Sequence, residues 1–147
     1  MNQTVIISAN PSIRNATHFH NPADLECFLK DNYCQTLIFV IWHWKVPDWI
    51  LTKYNCIGCH TGPLLEGKGK GGSPIRNLRA LNVQYATLCA FTMTPNFDEG
   101  KVHVAIPISL EGTLEDVYRR IDIHIPRIVA YLTQPEIDIP EKFKRLS

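Results

Sequence analysis

Asn55–Gly72 reads NCIGCHTGPLLEGKGKGG, and how its first half folds decides how the rest is read. Asn55–Cys59 is short and apolar enough for a buried strand, and it ends on His60. The remainder, Gly62–Gly72, holds five of the chain's eight glycines and reads as a loop. Yet Cys56-Ile57-Gly58-Cys59-His60 also matches Cys-x-x-Cys-His, the attachment pattern of a c-type haem. The neighbouring segments bear on that choice.

Working outward, Thr36–Trp42 is a continuous apolar run, as in a parallel strand covered on both faces. Pro47–Tyr54 then predicts a short helix with proline near its start. Before these lie a β-branched strand, Thr4–Ser8, and a helix opening at Asn21-Pro22 with Leu25, Phe28 and Leu29 on one face. After the glycine loop, Ser73 reads as an N-cap and Pro74–Leu81 as a helix. Thr87–Met93 and Val102–Ile108 read as strands joined by the polar loop Thr94–Gly100. In the second of them Val102, Val104 and Ile106 alternate with His103, Ala105 and Pro107. Thr113-Leu114-Glu115-Asp116 resembles a capping box and opens a last helix to about Leu132, with Pro126 as a kink or break. The alternation of strands and helices predicts an α/β fold with a mostly parallel open sheet. Residues 1–133 read as one domain and 134–147 as an extended tail. Ligands of such sheets bind beyond the carboxyl ends of the strands, so Trp42–Val46, Cys59–Gly72 and Met93–Gly100 are expected to converge.

The bulk properties narrow the function. A chain of 147 residues suits a single core, and 45% apolar with 20% charged residues argues against disorder. Net charge is +1, so no bulk nucleic-acid binding is expected. The start has no basic region or long apolar run, and no segment is long enough to span a bilayer. A soluble cytoplasmic protein without membrane contact is the expectation. Its five cysteines, at 27, 34, 56, 59 and 89, then read as free thiols.

Several chemistries compete for the central segment. A haem would take Cys56, Cys59 and His60, with Met93 as a distant ligand, but it needs export and a mainly helical surround. A metal site fares no better: residues 56 and 59 face opposite ways on a strand, no second Cys-x-x-Cys pair exists, and no metal is expected. Gly62–Gly69 nearly fits a phosphate-binding loop, but Gly69 stands where a hydroxyl is required and Pro63 removes a backbone donor. The last candidate is an acid–base pair of His60, at a strand end, and Asp98, in the loop after the next strand. A carboxylate beside an imidazole orients the ring and raises its pKa. The plainer reading is a satisfied core histidine and an Asp-x-Gly turn.

Three stretches taken together carry a resemblance. CHTGPLLEGKGKGGSPIRNL places a strand-ending His60 before Leu64-Leu65, a glycine loop and Gly71-Gly72-Ser73-Pro74. FDEGKVHVAIPISLEGTLEDVYRR supplies an Asp-x-Gly loop, a strand and Pro107-Ile-Ser-Leu-Glu-Gly-Thr113. LIFVIWHWKVPDWIL supplies a strand followed by a proline segment. In this order, from Leu37 to Ile125, they resemble the 10-formyltetrahydrofolate-dependent formyltransferases, most of all the small branch acting on amino sugars. The resemblance implies a Rossmann-like formyltransferase fold, here with a shortened N-terminal half. It implies 10-formyltetrahydrofolate as formyl donor and a small-molecule amine as acceptor, an amino sugar on a nucleotide carrier. His60 would stabilise the oxyanion as imidazolium or neutral donor, and Asp98 would orient it and help move a proton. Trp42, His43, Trp44, Lys45 and Val46 would border the pterin, with Thr94, Pro95, Asn96 and Phe97 opposite. Gly71, Gly72 and Ser73 would approach the substrate. The sheet edge left by a short N-terminal half fits a homodimer.

One position departs from the pattern. The family's Asn-x-His has Gly58 in place of the Asn that helps hold the formyl oxygen. Such a donor contributes about 3–4 kcal/mol. Slow catalysis, a substitute donor such as His43 or a backbone N–H, and a catalytically impaired binding protein are the open consequences.

Overall fold

The first strand, β1 (Thr4–Ser8), and the third, β3 (Thr36–Val40), pair in parallel, Val5 opposite Leu37. The coordinates are a computed structural model, describing residues 3–62, 75–96 and 100–134. The other elements are β2 (Thr17–His18), α1 (Pro22–Asp31), α2 (Asp48–Lys53), β4 (Asn55–Gly62), α3 (Ile75–Ala80), β5 (Tyr85–Thr92), β6 (Val102–Ser109) and α4 (Leu114–Thr133). They build one sheet of six strands in the order β2-β1-β3-β4-β5-β6. The expected tail, beyond residue 134, lies outside the described residues.

The sheet is mixed rather than mostly parallel. The β2, β1, β3 and β4 strands run one way, while β5 and β6 are joined to β4 antiparallel. The pattern of burial shows why. Leu37 to Val40 in β3 are all buried, as expected of a strand with cover on both faces. Along β6 buried Val104, Ile106 and Ile108 alternate with more open His103, Ala105 and Pro107, as in antiparallel strands covered on one face. The alternation is visible in the sequence, and it reports cover on one face of the strand.

Two cores result. On one face α4 lays Val117, Ile121, Ile125 and Ile128 against Ile57, Cys59, Leu88, Ala90, Val104 and Ile106. On the other, Leu37, Phe39 and Cys56 meet Leu25 and Leu29 of α1 and Ile50 of α2. The second core covers the parallel half of the sheet.

Both long helices are capped as their sequences predict. Asn21 accepts a hydrogen bond from Asp24 N at 2.9 Å, with Pro22 in the first turn. Thr113 and Asp116 form the reciprocal box: Thr113 N donates to the Asp116 carboxylate at 2.9 Å, and Asp116 N to Thr113 Oγ1 at 3.1 Å. Asp therefore serves where Glu or Gln is usual. Pro126 neither breaks nor ends α4, which runs through it.

Two strand boundaries differ from expectation. The β3 strand stops at Val40 rather than Trp42, because Ile41 adopts φ +52°, a left-handed conformation that ends an extended run. The two-residue β2 is too short to carry a sequence signal. Gly100 is required by close approach: a Cβ there would lie 1.7 Å from the carbonyl oxygen of Thr92, where β5 turns towards β6. Among the described residues no helix is long and apolar enough to cross a membrane.

Candidate functional site

Alternation along β4 sends Cys56, Gly58 and His60 to one face of the sheet, and Ile57 and Cys59 to the α4 face. Cys56 is 1% exposed within the second core and Cys59 is 0% exposed within the first. Their sulfurs therefore point away from each other across the sheet. No single haem or metal ion can take both, so the Cys-x-x-Cys-His match is coincidental. Among the described residues no cluster of His, Cys, Asp or Glu could hold a metal. The same parity turns the Cys59 side chain to the face opposite the His60 ring.

His60 lies opposite Cys89 and Gly58 opposite Phe91. The Phe91 ring meets the imidazole at 5.7 Å between centroids, tilted by 37°. The space above Gly58 is occupied: a Cβ there would come within 2.9 Å of Phe91 Cζ and 3.2 Å of the Met93 side chain. Phe91 and Met93 thus stand where a side chain at position 58 would project. Phe91 was missed in the sequence, although Cys89, Phe91 and Met93 are spaced by two along one strand, which puts them on a shared face.

The electrostatics of His60 follow from this surround. Burial pushes its pKa down to about 4. Among the described residues no hydrogen-bond partner offsets that desolvation; its recorded contact is the Phe91 ring. The imidazole is therefore neutral at pH 7, which favours the neutral donor of the two expected alternatives. A neutral ring still offers one N–H donor and one acceptor nitrogen. His103, on the neighbouring strand, is partnered: its Nε2 lies 2.7 Å from Thr92 Oγ1.

The residues expected to border the pterin fall into two groups. Trp42 and Val46 are buried in the second core. Trp44 is half-buried, edge-on to Trp42 at 4.8 Å and 3.9 Å from the exposed His43 ring. Lys45 is exposed. Trp44 and Met93 both pack against the second core, so the segments after β3 and β5 share a face.

They do not share an end. Ile41 N bonds Cys59 O at 3.0 Å, which sets Trp42–Val46 beyond the carboxyl end of β3. Met93 N bonds Cys56 O at 2.8 Å, because antiparallel β5 finishes beside the start of β4. The expected convergence of all three segments at one end therefore fails for this loop's beginning. There Thr94 Oγ1 donates to Asn96 O at 2.6 Å, and Pro95 and Asn96 are exposed. Phe97, Asp98, Gly71, Gly72 and Ser73 lie outside the described residues.

Gly58→Asn follows as a test of the packing. It is expected to lower stability by about 1–3 kcal/mol through overpacking against Phe91 and Met93. The companion Gly58→Asn/Met93→Ala should recover part of that loss in urea unfolding. Equal destabilisation of both variants would show that the space is not limiting.

No known family's sequence pattern matches the chain, and no curated protein matches it. Its fold, however, recurs in solved structures. Methionyl-tRNA formyltransferase from Clostridium thermocellum aligns with 100% of this chain and 70% of its own, at a TM-score of 0.69 and 19% identity. A sugar N-formyltransferase from a Shewanella species aligns with 100% of this chain and 74% of its own, at 0.58 and 14%. Phosphoribosylglycinamide formyltransferase from Anaplasma phagocytophilum aligns with 83% and 61%, at 0.53 and 18%. The chain has the Rossmann-like α/β fold of these enzymes, as the three sequence stretches implied.

Proposed function

We propose that this chain is a formyltransferase that moves a formyl group from 10-formyltetrahydrofolate to an amine, with an amino sugar on a nucleotide carrier as acceptor. The observation that carries the reading is His60: a half-buried neutral imidazole on the face of β4 turned away from α4, in a formyltransferase fold, without a hydrogen-bond partner among the described residues. A half-buried ring nitrogen without a protein partner is free to bond a ligand oxygen.

The chemistry asks little of the protein. The acceptor nitrogen attacks the formyl carbon, forming the new C–N bond and a tetrahedral oxyanion. His60 donates its N–H to that oxygen as charge develops. Collapse breaks the bond from the formyl carbon to N10 of the folate, which leaves with a proton. The acceptor nitrogen gives up one proton, and Asp98 is assigned to receive it through water on the strength of the sequence pattern. The apolar wall that Phe91 and Met93 form over Gly58 suits a flat ring, with backbone groups to read its edge.

A second reading is favoured by the packing at Gly58. Phe91 and Met93 fill the place from which an amide would reach the formyl oxygen, as expected of a protein that binds the folate without turnover. Calorimetric titration with a stable 10-formyl-folate analogue tests what both share. Micromolar binding is expected, and absence of heat with folded protein overturns both. Transfer to an amine, followed by mass spectrometry, then separates the enzyme from the binding protein.

A further inference from the structure

Among the described residues His60 has one recorded side-chain contact, the Phe91 ring, and that ring is seated in an unusual way. Phe91 lies directly opposite Gly58 in the β4–β5 ladder, and His60 follows Gly58 by two residues on the same face. With no Cβ at Gly58, the tip of the Phe91 ring lies over the backbone there: a Cβ would come within 2.9 Å of Phe91 Cζ. From this seat the ring reaches the imidazole at 5.7 Å between centroids, inside the range of paired aromatic rings. The Met93 side chain closes in on the same seat, its Cγ and Sδ each 3.2 Å from the place of the missing Cβ.

The ladder on the other side of β5 changes register at this residue. Ala90 pairs with Val104, but Phe91 pairs with Val102. His103 is therefore left over as the extra residue of a β-bulge. Its Nε2 lies 2.7 Å from Thr92 Oγ1, which ties the bulge to the residue after Phe91. Thr92 N donates to Lys101 O at 2.9 Å, fixing the same stretch of β5. Bulges bend a strand and re-aim its side chains, and they gather beside active sites.

The aim of Phe91 matters because the imidazole is neutral. Such a ring carries one N–H and one acceptor nitrogen, so turning it over exchanges donor for acceptor. Among the described residues no hydrogen bond holds the ring plane of His60, and the Phe91 ring is what it packs on. We propose that Phe91 is a positioning residue for formyl transfer: seated over Gly58 and aimed by the bulge at His103, it holds the His60 ring so that its N–H points at the formyl oxygen. This rests on the formyl-transfer reading and deepens it. Gly58 then has a task, which is to leave room for the ring. An aliphatic side chain at position 91 would keep the wall apolar without fixing the plane of the imidazole.

The test follows the ring and the reaction separately. In NMR spectra of the full chain, the His60 ring protons, assigned by their loss in His60→Ala, should be displaced by the Phe91 ring current. Phe91→Leu should remove that displacement. Gly58→Ala, whose Cβ pushes on the far end of the Phe91 ring, should alter it too, and carries the test should Phe91→Leu fail to fold. Both variants should lower kcat about tenfold or more, with KM for 10-formyltetrahydrofolate changed by less than about twofold, since a small misplacement of a catalytic group is enough. The double variant should lose no more than Phe91→Leu alone, because both changes act through one ring. His60 signals unchanged in both variants would overturn the inference, as would a wild-type kcat in variants whose signals have moved. Wild-type protein that transfers no formyl group would instead remove the formyl-transfer reading, and this role with it.

Discussion

His60→Ala is expected to lower kcat for formyl transfer by about 10²–10³-fold, some 3–4 kcal/mol of transition-state stabilisation. Under the proposed reading the neutral ring supplies one N–H to the oxygen of the reacting formyl group. Its developing bond to the oxyanion is made in the transition state rather than in the ground state, so KM for the folate donor should hardly move. The variant should also fold. His60 is partly exposed, and its recorded contact is one tilted ring. Steady-state kinetics beside analogue binding make the test. A drop in kcat with unchanged binding supports the role. An equal loss of both would place His60 in folate binding instead, and an unchanged kcat would remove it from the chemistry.

Stability should form a plateau between about pH 6.5 and 9, with a loss on each side that the buried groups set. On the acid side His60 is the main group, its pKa lowered by burial from 6.5 to about 4. The unfolded chain takes up a proton there before the folded chain does, so the contribution is complete above pH 6.5 and disappears as pH falls through 4. It amounts to about 3 kcal/mol. Burial lowers His103 and His124 as well, and they add in the same sense.

On the alkaline side Cys56 and Cys59 are both raised from 9.0 to about 12 by burial. Here the unfolded chain loses its protons first. The contribution is complete below pH 9 and is lost as pH rises through 12, up to about 4 kcal/mol for each thiol. Urea midpoints measured from pH 4 to 11 check both limbs. His60→Ala should flatten the acid limb, and Cys59→Ala should shallow the alkaline one. A wild-type midpoint constant from pH 7 to 4 would contradict the neutral, half-buried imidazole.

The sequence carried the order of elements more faithfully than their directions. The apolar run at Leu37–Val40 announced a strand covered on both faces, and it is one. The capping residues Asn21 and Thr113 marked helix starts because their side chains satisfy backbone N–H groups that the helix leaves open. The reversal at β5 was harder, since a strand pattern reads alike in both directions. Only the half-open face of β6 hinted at antiparallel pairing. Ile41 ended β3 early through a left-handed conformation that no propensity would assign to a β-branched residue.

For the candidate site, the place of His60 near the end of a strand was legible, and the opposed faces of Cys56 and Cys59 followed from a period of two. The neutral state of His60 was not. It depends on Phe91, which reaches the ring through register across β4 and β5. The occupied space at Gly58 is hidden in sequence for the same reason: Phe91 and Met93 lie more than thirty positions away along the chain.

Formyl transfer is tested by incubating the purified chain with 10-formyltetrahydrofolate and a panel of amino sugars linked to nucleoside diphosphates. A product heavier by one formyl group is expected, formed together with tetrahydrofolate and greatly slowed in His60→Ala. Folded wild-type protein that binds the folate analogue yet formylates none of these acceptors would contradict it.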